Sequence, residues 1–269
     1  MGDPSTTLRL RRSLSRAKSR GVVPLPETSS GRITLLLGAM VAALAAPVAA
    51  EPDLTGSWER YPPLGEPDPL GARTVIPNAP LKQPWLAEWQ AHEATLAART
   101  AEGQPPGDNY VKCLPDGMPA MMQAMFPMEI FQRPEQINIT QEAFNQTRRI
   151  YIGETLPPWD ELDPMFYGRS VGRWEGDTLV IETSGIKPHI TFRWTPHSEA
   201  MKITERLTLL APDILRNEIV IEDEYLERPW TYSYTYRRMP GYKLLEYVCE
   251  DNRDYIDEQG NVSLRIDQE

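Results

Sequence analysis

From residue 136 onward, apolar and polar positions alternate with a period of two, the pattern of strands that bury one face. QINITQE (136–142) puts Ile137 and Ile139 on one side, and TRRIYIG (147–153) follows after a short turn. GRSVGRW (168–174) and DTLVIETS (177–184) flank Glu175-Gly176, a tight hairpin turn in which glycine supplies the positive φ. TFRW (191–194), AMKITERLTLL (200–210), ILRNEIVIED (214–223), WTYSYTYRR (230–238) and YKLLEYVCE (242–250) bring the predicted strands to about nine. Short links favour antiparallel neighbours, because a parallel crossover needs about a dozen residues or more. The pattern predicts a mainly all-β fold, an antiparallel lipocalin-like β-barrel of about eight or nine strands over residues 136–252. A two-sheet sandwich is the other way to close such a meander.

Ahead of the strands the periodicity changes. Residues 84–102 predict a helix, with Pro84 suited to the first turn and Trp85, Trp89, His92 and Leu96 recurring at helical spacing. Residues 51–83 are rich in Pro and Gly and read as an extended arm, with one edge strand at LTGSWER. Residues 103–135 carry five Met and six Pro, an irregular segment that suits either core filling or an adaptable apolar pocket. Residues 51–135 thus form an arm, helix and Met-rich segment, and 253–269 a C-terminal tail.

Composition narrows the function classes. Of the 269 residues, 41% are hydrophobic and 25% charged, which excludes a disordered or collagen-like chain. A net charge of −10 opposes broad nucleic-acid binding. Three His and two Cys are too few for a Cys-rich zinc module or an iron–sulfur protein. No phosphate-cradling Gly-rich loop or dinucleotide fingerprint occurs, so no cofactor is expected and no bound metal.

The charge is also unevenly spread. Residues 1–50 hold seven cations against Asp3 and Glu27, then the uncharged run ITLLLGAMVAALAAPVAA at 33–50. A basic region, a short apolar run and a small-residue exit read as a secretory signal peptide cleaved after Ala50, a membrane anchor being the alternative. Cleavage would leave a net charge of −15 and a protein that meets the membrane only during export, bound for the periplasm or the exterior. In such an oxidising compartment Cys113 and Cys249 are expected to form a disulfide, against two free thiols otherwise.

The strand faces carry the candidate chemistry. On 201–209, Met201, Ile203, Leu207 and Leu209 share a face with one carboxylate, Glu205, while Arg206 lies on the other. An inward carboxylate must find a partner or change its pKa, so Glu205 is either half of a structural ion pair or an acid/base in an apolar cavity. Trp230, Tyr232, Tyr234 and Tyr236 share one face of their strand, as a ligand wall, as aromatic core or as an exposed docking patch. His189 and His197 flank a short predicted strand and could converge at one barrel mouth, where a carboxylate such as Glu199 would complete a metal site, but no i, i+2 or i, i+4 pairing supports one and loop histidines are the alternative. His197 cannot reach Glu205 along their shared strand, since eight extended residues span roughly 26 Å. No GxSxG motif supports a serine nucleophile.

Several strings resemble one family of secreted bacterial proteins: Gly172-Arg173-Trp174-Glu175-Gly176-Asp177-Thr178-Leu179-Val180, Pro196-His197-Ser198-Glu199-Ala200 with Thr204-Glu205-Arg206, Arg228-Pro229-Trp230 and Glu246-Tyr247-Val248-Cys249-Glu250-Asp251-Asn252. Cys113-Leu114-Pro115 with Gly117 and Pro119 is similar to the family's upstream segment, so the likeness spans about 110–252. It implies export and a shared β-rich fold, and carries no established reaction or catalytic residue. Where that family has a Gly-Arg-Pro-His-Pro-like stretch, this chain reads GETLPPWDELDPMFY at 153–167, without histidine.

Taken together, the sequence points to an exported, cofactor-independent enzyme (a lyase, isomerase or hydrolase) acting on a hydrophobic or aromatic small molecule. Glu205, His197 or His189 would serve as acid or base, Tyr232, Tyr234 and Tyr236 would hold substrate, and Arg173 or Arg206 would balance charge. A binding protein for an apolar ligand, without chemistry, and a protein-interaction module are the alternatives.

Overall fold

The computed structural model describes residues 51–63, 66–67, 75–103, 113–249, 255–256 and 262–263; the leader expected at 1–50 lies outside them. Nine strands close into a barrel in sequence order. They are β1 (Gly56–Arg60), β2 (Met128–Gln132), β3 (Gln136–Gln141), β4 (Gln146–Ile152), β5 (Arg169–Glu175), β6 (Thr178–Ser184), β7 (Lys202–Ala211), β8 (Ile214–Glu222) and β9 (Trp230–Arg238). The ring is sealed by β1, which pairs with β2 at Gly56↔Ile130 and with β9 at Arg60↔Tyr236. Closure leaves the barrel no free sheet edge, the feature that most exposes an open sheet to unwanted pairing.

One pair departs from the expected antiparallel meander. β4 and β5 run parallel, with Ile150 opposite Ser170 and Ile152 opposite Gly172. The cause is the long link 153–168, which is enough chain to return to the starting end of the barrel.

The strand count is met, but two members differ. Residues 191–194 form a tight turn bridged at Phe192 and Thr195, because Arg193 (φ 52°) and Trp194 (φ 58°) adopt left-handed backbone that no strand accommodates. Residues 242–248 are irregular, with Leu245 and Val248 exposed: the barrel is already closed by β1, and no free edge is left for them to join. Their places are taken by β1, which is a full wall strand, and by β2, drawn from the end of the Met-rich segment. Within the stretch read as a tail, β10 (Tyr255–Ile256) and β11 (Val262–Ser263) pair with each other antiparallel.

The expected helix is present as α1 (Trp85–Ala101) and buries no residue. It lies on the outside, with Trp85 stacked on Tyr225 at 4.0 Å and the Trp89 indole N–H donating to the Arg193 carbonyl at 3.2 Å. No helix among the described residues is long and apolar enough to cross a membrane.

Both barrel ends are covered. At one end Gly117–Ala124 tucks in, burying Met118, Met121 and Met122 completely. Gly117 (φ +69°) begins this insertion, and a Cβ there would stand 2.5 Å from the Phe166 carbonyl oxygen, so the close approach needs glycine. At the other end the arm crosses: Leu54 is buried, its N–H donates to the Gln132 side-chain oxygen, and its carbonyl accepts the Trp58 indole N–H. Cys113 and Cys249 form a disulfide, tying the chain just before the methionine insertion to the segment after β9.

Candidate ligand-binding site inside the barrel

Alternation along β7 turns Ile203, Glu205 and Leu207 inward, and Glu205 has no exposed surface. Its Oε2 accepts from Arg148 Nη2 at 2.5 Å and its Oε1 from Asn217 Nδ2 at 2.9 Å. Of the two readings of this carboxylate, the geometry supplies the ion pair. Arg148, 1% exposed on β4, also donates from Nε to Ser170 Oγ at 3.0 Å and from Nη2 to Thr183 Oγ1 at 2.7 Å. The Ser170 and Thr183 hydroxyls are themselves 2.8 Å apart. The guanidinium is thus fixed by groups from β5, β6 and β7, and Asn217 adds β8.

The tyrosine ladder of β9 lines the same interior. Asn217 lies directly opposite Tyr234, and Ile219 opposite Tyr232. The Tyr232 and Tyr234 rings meet edge to face with centroids 5.6 Å apart, and Tyr232 packs against Trp230 and Phe192. Tyr236 donates its hydroxyl to the Met122 carbonyl at 2.5 Å, which joins the methionine insertion to the ladder.

Burial pushes the Tyr232 and Tyr236 hydroxyls well above their ordinary pKa of 10, and the neighbouring Tyr234 and Glu205 add to the rise. Tyr234 is raised by burial as well, with Arg60 and Arg193 pulling partly the other way; the Arg60 guanidinium sits 4.6 Å over its ring. All three rings therefore keep their protons across the working pH range.

Four buried polar atoms of the interior have no hydrogen-bond partner among the described residues: Arg148 Nη1, Asn217 Oδ1, Tyr232 Oη and Tyr234 Oη. Each such group costs about 1–3 kcal/mol if it stays unpaired. Native proteins keep few of them.

The other sequence candidates lie elsewhere. Arg173 and Arg206 project from the outer wall and share Glu175, at 2.8 and 3.0 Å, so the expected balancing of Glu205 by either is corrected: Arg148 does it. The same alternation that turns Glu205 in turns Arg206 out. Arg173 also lines an outer groove of about 540 Å³ between residues 154–159 and the β5–β7 wall.

His197 is buried near the methionine end, with Nδ1 2.7 Å from the Ser198 carbonyl and Nε2 2.8 Å from the Ile190 carbonyl. Both ring nitrogens are engaged, beside a cleft of about 20 Å³ lined by Phe192, Met201 and Trp230, room for one water. His189 is exposed and meets only the edge of Phe166, 6.0 Å away between ring centres. Neither histidine joins Glu205.

Sequence reasoning passed over Arg148 and Asn217. A signal was available, since Arg148 shares its parity with Ile150 and Ile152, and Asn217 with Leu215, Ile219 and Ile221. GRWEGDTLV forms the β5–β6 hairpin, where Arg173 and Glu175 brace the outer wall away from the Arg148–Glu205 pair. No protein-family model matches this chain, and no curated protein matches it at a significant level.

Proposed function

We propose that this protein is an exported small-molecule-binding barrel that anchors the polar end of an otherwise flat or hydrophobic ligand at Arg148, Asn217, Tyr232 and Tyr234. The observation that carries this reading is the set of four unpartnered polar atoms, buried around one ion pair and walled by aromatic rings. Retaining them would cost several kcal/mol in sum unless something complements them. Export is supported by the leader-like pattern of residues 33–50, by the Cys113–Cys249 disulfide and by the resemblance of GRWEGDTLV to a secreted family.

The second reading is an acid/base enzyme, a lyase, isomerase or hydrolase, at the same cluster. It is favoured by the tyrosine hydroxyls, which could donate a proton or a hydrogen bond to a substrate carbonyl. It ranks behind binding because Glu205, the base expected from the sequence, has both oxygens already taken.

The test is native mass spectrometry of residues 51–269 after incubation with culture extracts. A bound species of small-molecule mass, present in the wild type and reduced about threefold to tenfold in Tyr234→Phe, is the expected result. No bound mass across several extracts contradicts binding. Turnover of the released compound by the wild type would promote the enzyme reading.

A further inference from the structure

We infer that the outer groove between residues 154–159 and the β5–β7 wall is a saccharide-binding site, in which a neutral sugar ring lays its apolar face on Trp159 and turns its hydroxyls to Arg173, Glu182 and Lys202. The groove shares no residue with the Arg148–Glu205 cluster, so this site is independent of the interior one.

Strand register builds the floor. Val171 lies opposite Glu182 and Glu182 opposite Thr204, so these positions share the outer face of β5, β6 and β7. Arg173 and Lys202 stand two residues from Val171 and Thr204, and alternation turns them the same way. Arg173, Glu182 and Lys202 all line the groove. The facing wall is the link from β4 to β5, and it is tied at both ends. The Gly153 N–H donates to the Gly172 carbonyl and the Met165 N–H to the Gly185 carbonyl, each at 2.9 Å. Leu162 sits so close over Gly185 that a Cβ there would stand 2.9 Å from the Leu162 Cβ. The space between is therefore preformed, and its volume of about 540 Å³ is that of a small-ligand cleft.

Trp159 supplies the apolar platform. It lines the groove beside Pro157 and Pro158 and is 44% exposed. Its side chain makes no hydrogen bond and no ring contact among the described residues. Trp58, Trp89 and Trp230, by contrast, each donate the indole N–H to a carbonyl. An indole left open on a groove offers a broad apolar face with a polar edge.

The floor supplies the polar half. Glu182 accepts from Arg173 Nη1 at 3.2 Å and from the Lys202 ammonium. The Lys202 hydrogen bond, with Arg173 nearby, holds this carboxyl below its ordinary range against a smaller opposing effect of burial, so it is an ionised acceptor at neutral pH. All three side chains keep hydrogen-bonding capacity beyond these contacts. A hydroxyl suits such a row, because it can donate to the carboxylate while accepting from a cation.

Charge favours a neutral occupant. The groove is lined by two cations, Arg173 and Lys202, and two carboxylates, Glu154 and Glu182. The neighbouring Arg169 and Arg206 are paired with Glu154 and Glu175, while Asp160, Glu161 and Glu199 in the adjoining segments add negative charge. No surplus of positive charge selects an anion, and a cation would meet Arg173 and Lys202. A wholly apolar ligand would strip water from the charged row without replacing its hydrogen bonds. A peptide strand finds no free barrel edge to join.

The experiment is an NMR titration of the folded, oxidised protein, isotope-labelled at the indole nitrogens, with Trp159 assigned through Trp159→Phe. The probes are cellotetraose, maltotetraose and chitotetraose, with trigalacturonate as an anionic sugar and decaproline as a peptide. At least one neutral tetrasaccharide should shift the Trp159 indole signal saturably at millimolar concentration and leave Trp58, Trp89 and Trp230 where they are. It should bind at least about threefold more tightly than trigalacturonate or decaproline. Calorimetry should show that binding weakened at least about tenfold in Trp159→Ala and about threefold to tenfold in Glu182→Gln. Trp159 lies at the surface, so its variant should keep the wild-type urea midpoint. No shift at Trp159 with any neutral probe, an equal shift at Trp230, or sugar binding that survives Trp159→Ala overturns the site. Tighter binding of trigalacturonate or decaproline overturns the neutral saccharide class.

Discussion

The Arg148–Glu205 pair sets the polarity of the barrel interior. At 1% and 0% exposure neither partner can turn to water, so removing one leaves the other stranded in an apolar core. Glu205→Leu and Arg148→Met are each expected to cost about 3–5 kcal/mol, while the double substitution should cost clearly less than their sum. Urea denaturation of the four proteins measures the cycle. Additive single losses would mean that the two side chains do not depend on each other. At this scale Glu205 was legible in the sequence, since it breaks an apolar face of its own strand. Its partner was not, because the residues that meet across a barrel come from strands 57 positions apart. Parity could list Arg148 and Asn217 as inward-facing, but only the strand register brings them to the same carboxylate. The histidines misdirected the reading for a similar reason. Their closeness in sequence says nothing about the carbonyl oxygens that engage His197 or the solvent that surrounds His189.

The elements show where alternation is a sufficient guide and where it is not. Strands β3 to β9 were legible because each buries one face along several residues. YKLLEYVCE has the same composition, yet it remains outside because pairing positions run out once β1 closes the ring. Composition describes whether a segment suits a pleated surface, and topology decides whether a surface is available. The outer face of β5–β7 supplies a pH test. The Lys202 ammonium hydrogen-bonds Glu182, with Arg173 nearby, and holds that carboxyl below its ordinary 4.5 against a smaller opposing effect of burial. A depressed folded-state pKa stabilises the fold above the unfolded value, and that contribution is lost as pH falls through the folded value. Lowering the pH from about 6 to about 3 should therefore reduce stability, and Lys202→Met should flatten that loss by at most about 1 kcal/mol, as befits a partly exposed pair. Urea midpoints at each pH are the check. An unchanged slope in the variant would remove this pair from the pH response.

Across the whole molecule, the disulfide joins positions 136 residues apart, so it constrains most of the barrel in the unfolded chain. The chain-entropy treatment puts its contribution at roughly 4–5 kcal/mol as an upper figure. Paired denaturation curves of oxidised and Cys113→Ser/Cys249→Ser protein should differ by a sizeable part of that amount; equal midpoints would mean that the bond only decorates an already rigid fold. The same staple anchors the chain ahead of Gly117–Ala124, the insertion that closes one barrel end and meets Tyr236 through the Met122 carbonyl. The staple fits a protein that works in an oxidising compartment.

The most direct test of the proposed interior site is NMR of protein labelled at the tyrosine Cζ carbon, with Tyr232, Tyr234 and Tyr151 assigned by single Phe substitutions. Addition of culture extract should shift the Tyr232 and Tyr234 signals in a saturable manner and leave Tyr151, stacked under Arg169 at the β4–β5 pair, where it is. Unmoved Tyr232 and Tyr234 signals across several extracts, or equal shifts at Tyr151, would contradict a ligand site inside the barrel.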